Sequence, residues 1–301
     1  MQNLTLTWQT SVAASAALYG AAFTVRRIAA KRAVAATGAE AGEGPGERRG
    51  AGRVAADVLR EAGTLLALFA LWQVVGHLSL MGTDHALERA EWIHRTETDL
   101  GLPDEASWQR AVVGHPWLAQ AANYYYATMH FGVMLVVLLW LFLRHRERYA
   151  WVRTTVVATT AVCLLIQFVP VAPPRMLPGN GFMDLAAQYG QSVYGNAVAG
   201  VVADQLSAMP SVHVAWCVIT AVAVIAVARG PWRWLMVLHP LVTVWVVVVT
   251  ANHFWADGVV ALAILLTVYL VQAAVTGWRR PEAEAGADAP EAERERSAVQ
   301  G

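Results

Sequence analysis

Charge is what this 301-residue chain has least of. Asp, Glu, Lys and Arg make up 15% of it against 56% for the hydrophobic set, and mean hydropathy is +0.41. A soluble domain carries about 25% charged residues, so too little charge remains to coat a surface facing water. The charges are also clustered, leaving long stretches with none. A soluble globular enzyme, a disordered chain and a coiled coil are thereby excluded, and a membrane protein is left. Net charge is missing too: 22 basic residues balance 22 acidic ones, which points to no nucleic-acid or polyanion partner. Cysteine is scarce. Cys163 and Cys217 both sit in apolar runs with no CxxC or Cys/His spacing, and read as small buried hydrophobes. Lysine gives way to arginine amid abundant Ala, Val and Gly, the composition of a GC-rich bacterial genome. No internal repeat is visible.

What the chain does have is long apolar runs. Crossing the hydrocarbon takes roughly 20 predominantly apolar residues. Such runs lie at 62–81, near 121–143, 154–172, 211–228 and 234–251, and near 255–277, where Asp257 alone interrupts. A weaker Ala-rich run, 11–25, lacks a basic flank before it and is followed by Arg26, Arg27, Lys31 and Arg32, as in an anchor rather than a cleaved signal peptide. The expectation is an all-α polytopic membrane helix bundle of six core transmembrane helices plus an additional N-terminal helix. Its parts are an N-terminal anchor within 1–25, a flexible basic linker over 26–56, a membrane domain over 57–278 and a disordered tail over 279–301. The basic links at 26–53, 144–148, 229–233 and 279–280 are cytoplasmic by the positive-inside rule. The links 82–118, 173–208 and 251–254 then face outside. Segment 84–110 carries seven acids, and Leu87, Trp92 and Ile93 recur there at loosely helical spacing, as in a helix lying at the interface.

Three polar clusters fall at that outer face. In Pro173-Pro174-Arg175 two prolines stiffen the exit that aims the guanidinium, whose planar fork suits phosphate oxygens; an arginine snorkelling to headgroups is the plainer alternative. Met209-Pro210-Ser211-Val212-His213 opens a span with proline in its first turn, leaving free N–H groups and the helix dipole as an anion site. Alternatively Ser211 simply caps the helix and His213 is hydrogen-bonded locally. In His253-Phe254-Trp255-Ala256-Asp257, a spacing of four puts both side chains on one helical face. A carboxylate on one ring nitrogen fixes the tautomer and leaves the other lone-paired, although a structural ion pair has the same spacing. His77 and His239 lie within apolar helices and read as satisfied in the bundle. The thirteen tryptophans are mostly interfacial anchors.

In this order the clusters resemble the type 2 phosphatidic acid phosphatase superfamily, whose pattern is Lys-x6-Arg-Pro, Pro-Ser-Gly-His and Ser-Arg-x5-His-x3-Asp. Here Arg175 has no lysine partner, Val212 replaces the glycine, and Val247 stands where the third motif has arginine. With Pro-Ser-x-His, a shortened third motif and Tyr126-x3-His130 one turn beyond Asn123, the chain is most similar to the inositol phosphotransferase-like (inositol phosphorylceramide synthase-like) branch. The resemblance spans roughly residues 60–277.

The resemblance implies an integral-membrane, metal-independent hydrolase or phosphotransferase of lipid metabolism. It would work on a lipid phosphate or phospholipid at the outer face of a bacterial plasma membrane, with no cofactor and no metal ligands. His253 would become a phosphohistidine, Asp257 orient it, and His213 protonate the leaving oxygen. Arg175 and the Ser211 region would hold phosphoryl oxygens. The Tyr126/His130 face and the outer link with Asn180, Asp184, Gln188 and Asn196 could build a surface for a hydroxyl acceptor, slightly favouring transfer over hydrolysis. Three other classes stay open: a transporter using His213, His253 and Asp257 as a proton or substrate relay, a metal hydrolase with a His/His/Asp site, and a non-catalytic scaffold.

Overall fold

The computed structural model describes residues 7–36, 45–79, 85–191 and 206–276. The tail 279–301, Asn196 and the side chain of His77 lie outside the described part. Apart from one isolated bridge, Val171 to Ser207, the regular structure described is helical. Helices α1 (Trp8–Ala36), α2 (Pro45–Ser79), α3 (Ala86–Asp99), α4 (Glu105–Val113), α5 (Pro116–Arg144) and α6 (Arg146–Ile166) come first. The one-turn α7 (Leu185–Gln188), α8 (Val212–Val227), α9 (Leu238–Val249, led by a 3-10 stretch Pro231–Val237) and α10 (Trp255–Thr276) follow.

The chain divides into two units. In the first, α1 packs on α2. Ser15 Oγ donates to the Gly63 carbonyl (2.7 Å) and the Tyr19 and Thr64 hydroxyls share a hydrogen bond (2.7 Å). A Cβ on Gly63 would stand 3.1 Å from the Tyr19 ring, so glycine is what lets the helices approach there. Much of 26–56, expected as a flexible linker, is helical: α1 runs on to Ala36 and α2 already starts at Pro45. Ala and Arg are among the strongest helix formers, and in this stretch they outweigh the scattered glycines.

The second unit, residues 87–163, 172–193 and 208–301, holds the remaining helices. Its core is apolar at helical spacing: Met134, Val137 and Leu141 of α5 meet Val152 and Val156 of α6 and Ile219 and Ala223 of α8. The opposite faces expose Leu135, Val136, Leu139 and Leu143 on α5, Leu241 on α9, and Val259, Leu266 and Leu270 on α10. Water does not tolerate apolar surface on that scale, whereas hydrocarbon does. Among the described residues, α5, α6, the 231–249 segment and α10 are long and apolar enough to cross a membrane. The chain is an integral membrane helix bundle.

Four of the six expected runs thus overlap full-length spans among the described residues. The run 62–81 lies in α2 up to Ser79. The run 211–228 forms α8, whose 16 residues reach only about 24 Å, short of a hydrocarbon core of about 30 Å. The chain preceding α8 therefore enters the membrane level as irregular backbone. That is tolerated only where protein buries it, and Ala208, Pro210 and Ser211 are buried. The run 154–172 is also displaced, since α6 ends at Ile166: Pro170, Pro173 and Pro174 each bias the preceding residue away from helix.

The acidic segment forms two helices, α3 and α4, where one was expected, and with another face inward. Ile93 is buried while Leu87 and Trp92 are exposed, and the buried side also carries Glu97 and Glu105.

Candidate active site

Two helix ends bring the site together. The first is the C-terminus of α9. Thr250 is its cap, and the Ala251 N–H bonds the Val248 carbonyl (2.9 Å) while the Asn252 N–H bonds that of Val247 (3.1 Å). This is the paired closure that ends a helix on a left-handed residue. Ala251 occupies that position at φ +50°, where glycine is usual and a side chain is strained. The turn delivers His253 immediately before α10 begins at Trp255. His253 therefore precedes the helix that carries Asp257, instead of sharing a helical face with it.

The second end is the N-terminus of α8. Ser211 is its cap, with Oγ accepting from the Val214 N–H (3.4 Å) and its own N–H donating to the Asp257 carbonyl (3.1 Å). Pro210 stands ahead of the cap and not in the first turn. The N–H groups beyond the cap are those of Val212 and His213, because Ser211 occupies that of Val214.

These two ends place His253 and His213 in contact. His253 Nδ1 lies 2.7 Å from the Ala208 carbonyl oxygen and 3.2 Å from Asp257 Oδ2. A carbonyl can only accept, so Nδ1 carries the proton and Nε2 keeps its lone pair. His213 Nδ1 sits 3.3 Å from that Nε2 and, in this tautomer, donates to it. Asp257 is fully buried and is fixed in turn by the Phe254 N–H on the same Oδ2 (2.9 Å).

Tyr126 and His130, one turn apart on α5, close the other side of His213. The Tyr126 ring stacks on His213 at 4.4 Å, and the His130 ring centre is 4.1 Å away. His130 is buried, and its Nδ1 has no hydrogen-bond partner among the described residues. His239, expected to be satisfied in the bundle, is so only in part: Nδ1 pairs with the Tyr125 hydroxyl (2.8 Å), while Nε2 is buried with no hydrogen-bond partner among the described residues. Asn123 donates to Gln191 (3.0 Å).

Arg175 reaches the same turn by its backbone. Pro173 is extended, Pro174–Met176 form a 3-10 turn, and the Arg175 N–H donates to the Ala251 carbonyl (3.0 Å). Its guanidinium is buried, bonded through Nη1 to Asn252 Oδ1 and standing 3.4 Å through Nε from Asp184 Oδ2. Asp184 also caps α7. Asn180 is different: it is exposed between Gly179 and Gly181, both at positive φ, and makes no hydrogen bond to the histidines among the described residues.

Val247, at the place of the third motif's arginine, packs with Val214 and Val248 against Tyr126 and Trp255. That side chain is part of a dry apolar cluster.

Several partners were not foreseen. The Ala208 carbonyl is a backbone group that no residue type advertises. Asn252, which orients Arg175, stood beside His253 with nothing to mark it. Glu97, one acid among seven, accepts from the Ala256 N–H (2.6 Å) and so pins the first turn of α10. Burial, together with the Glu105 carboxyl beside it, pushes Glu97 up to about 9.

Along α5, His130 is roughly 21 Å from the basic end at Arg144, about two thirds of the thickness of a hydrocarbon core of about 30 Å.

No curated protein and no solved structure matches the chain. A family model described as the PAP2 superfamily matches residues 91–271, a stretch that takes in every residue of the histidine cluster and its arginine. On that match, which covers more than half of its length, the chain belongs to the PAP2 superfamily, whose members are phosphatases and phosphotransferases acting on phosphate esters.

Proposed function

We propose that this protein transfers a phosphoryl or phospho-headgroup from a lipid phosphate or phospholipid to a hydroxyl acceptor. The reaction would pass through a phosphohistidine on His253 at the outer side of the membrane, with hydrolysis as a competing outcome. The observation that carries this reading is the fixed tautomer of His253: two acceptors hold Nδ1–H, and Nε2 is left lone-paired against His213.

In the first step Nε2 attacks phosphorus, the bond to the leaving oxygen breaks, and His213, entering the step as the imidazolium, gives that oxygen its proton and becomes the neutral imidazole. In the second, the acceptor hydroxyl attacks phosphorus, His213 takes its proton, and the nitrogen–phosphorus bond breaks. The two rings are in hydrogen-bond contact, so the substrate phosphoryl group enters by displacing His213 from Nε2. Asp257 balances the charge His253 acquires as Nε2 bonds to phosphorus, as fixed charges do in phosphoryl transfer.

Arg175 would supply the positive charge that the third-motif arginine supplies elsewhere, held in place by Asn252 and Asp184. Val212 and His213 N–H groups would bind a second oxygen. Tyr126 and His130 would wall the acceptor side. Asn180, exposed and apart from the histidines, is retained only as an outer-link residue that an acceptor headgroup could meet.

The depth of the site favours transfer. A phosphohistidine well below the interface meets water rarely, whereas a lipid alcohol reaches that level from the bilayer. The competing transporter reading gains nothing specific from the 3.3 Å hydrogen bond between His213 and His253. Incubating labelled lipid phosphate with alcohols of increasing chain length tests the proposal. Label should appear in the alcohol product; release of all label as inorganic phosphate with every acceptor would leave a phosphatase instead.

A further inference from the structure

Outside the histidine pair, the second unit buries another chemically loaded cluster. His94 and Glu97 lie one turn apart on α3, and Glu105 opens α4. One donor atom from each lies within 4.8 Å of the other two. Both carboxylates are more than nine-tenths buried, Glu97 at 4% exposure and Glu105 at 1%.

Hydrogen bonds account for only part of this polar surface. Glu97 Oε1 takes the Ala256 N–H, and the Glu97 and Glu105 carboxyls share a hydrogen bond when one of them is protonated; with both ionised, Glu97 Oε2, Glu105 Oε1 and His94 Nδ1 are buried with no hydrogen-bond partner among the described residues. His94 Nδ1 stands 3.8 Å from Glu105 Oε2, too far to donate to it. Orphaned buried polar atoms are expensive, and here three of them belong to the three side chains of one cluster.

We infer that His94, Glu97 and Glu105 bind a divalent transition-metal cation that clips α3 and α4 to the start of α10. Two carboxylates and a 2+ ion leave the pocket neutral, which solves the burial of two adjacent acids. One imidazole nitrogen with two carboxylate oxygens is a donor set suited to Zn2+ or Mn2+ rather than to Mg2+ or Ca2+, which favour oxygen alone. Donor atoms within 4.8 Å of one another can share an ion at about 2.0–2.2 Å once the side chains draw in.

The cation is structural. The hydrogen bond from Ala256 to Glu97 ties the cluster to the turn between His253 and Asp257, but no cluster residue bonds either histidine of the pair. The proposal therefore stands apart from the phosphotransfer reading, and its readout does not need turnover.

The test uses full-length protein in detergent, carrying no polyhistidine tag, stripped with chelator and then titrated with Zn2+ and, separately, Mn2+. Metal retained after desalting is measured by mass spectrometry, and thermal unfolding is followed in parallel. One equivalent should be retained by the wild type and by the control His115→Ala, with Tm raised by about 5 °C or more under saturating metal. Glu97→Gln and Glu105→Gln, which keep shape but lose a charge, should weaken retention about 100-fold or more. His94→Ala provides the same test should a Gln variant fail to fold. A wild type that retains neither metal and shows no change in Tm would overturn the site. Equal retention in Glu97→Gln and Glu105→Gln would as well, and both results would mean that the acids share a proton instead.

Discussion

At the scale of single residues, the proposed chemistry turns on one imidazole with two restraints of different kinds. The Ala208 carbonyl at 2.7 Å holds Nδ1–H by itself, while Asp257 at 3.2 Å adds charge. Removing the charge should then leave the tautomer standing. Asp257→Asn is expected to fold, to keep KM near the wild-type value and to lose on the order of 10²-fold in kcat. That loss is less than the roughly 10⁴-fold seen where a single carboxylate is responsible for both jobs. Rates as low as those of His253→Ala would show that the carbonyl does not hold the ring. His213 invites a different measurement. As the proposed proton donor to the leaving oxygen it would matter most when that oxygen is basic, so His213→Ala should cost far more with an alkyl phosphate than with a nitrophenyl phosphate. An equal loss on both substrates would remove it from that role.

This scale also divides what the sequence could disclose from what it could not. His253, Asp257, His213, Tyr126, His130 and Arg175 were recognisable as candidates because their side chains are of chemically able types and their spacing survives in one dimension. The structure brings them together around the 250–254 turn and the start of α8. Ala208 was beyond reach because a backbone acceptor has no residue signature. Asn180 was placed among the candidates on polarity and loop membership alone, neither of which encodes distance, and it lies exposed in its own turn. The relation between His253 and Asp257 was seen correctly as a pair and wrongly as two steps on one helix, because spacing of four fits a helix start as well as a helix interior.

At the scale of elements, the strained end of α9 is the most consequential local feature. A left-handed residue is needed to close the helix and turn the chain into His253, and Ala251 fills that place while fully buried. Ala251→Gly should stay within about 0.5 kcal/mol of wild type, because relief of strain offsets the extra freedom of the unfolded chain. Ala251→Val, branched at Cβ and with no space to occupy, should cost about 2 kcal/mol or more. Thermal unfolding in detergent reads both, and a valine variant as stable as wild type would contradict the turn described. Element reading also explains the two ways in which the span pattern misled. Hydropathy marks apolar residues whether or not they are helical, so it overran α6 into a proline-rich exit. It also counted 211–228 as a full span although α8 is too short to be one.

At the scale of the whole molecule, the fold class was the most legible property, because a shortage of charge is a statement about solvent and not about any one contact. The proposed orientation rests on the arginines at 144, 146 and 148. Single cysteines at exposed positions 146 and 180 test it in intact cells, in a background where the buried Cys163 and Cys217 are replaced by alanine. Position 180 should react with an impermeant reagent and position 146 should be protected; the reverse would turn the site to the cytoplasm.

The central claim is that His253 carries the phosphoryl group, and the direct measurement is to trap it. Protein given a lipid substrate labelled at phosphorus, quenched within a turnover and digested, should yield a labelled peptide containing residue 253. The label should be lost in acid and stable in base, as a phosphoramidate requires, and absent from His253→Ala. Turnover by His253→Ala at near the wild-type rate, or label found on a residue other than His253, would contradict the account.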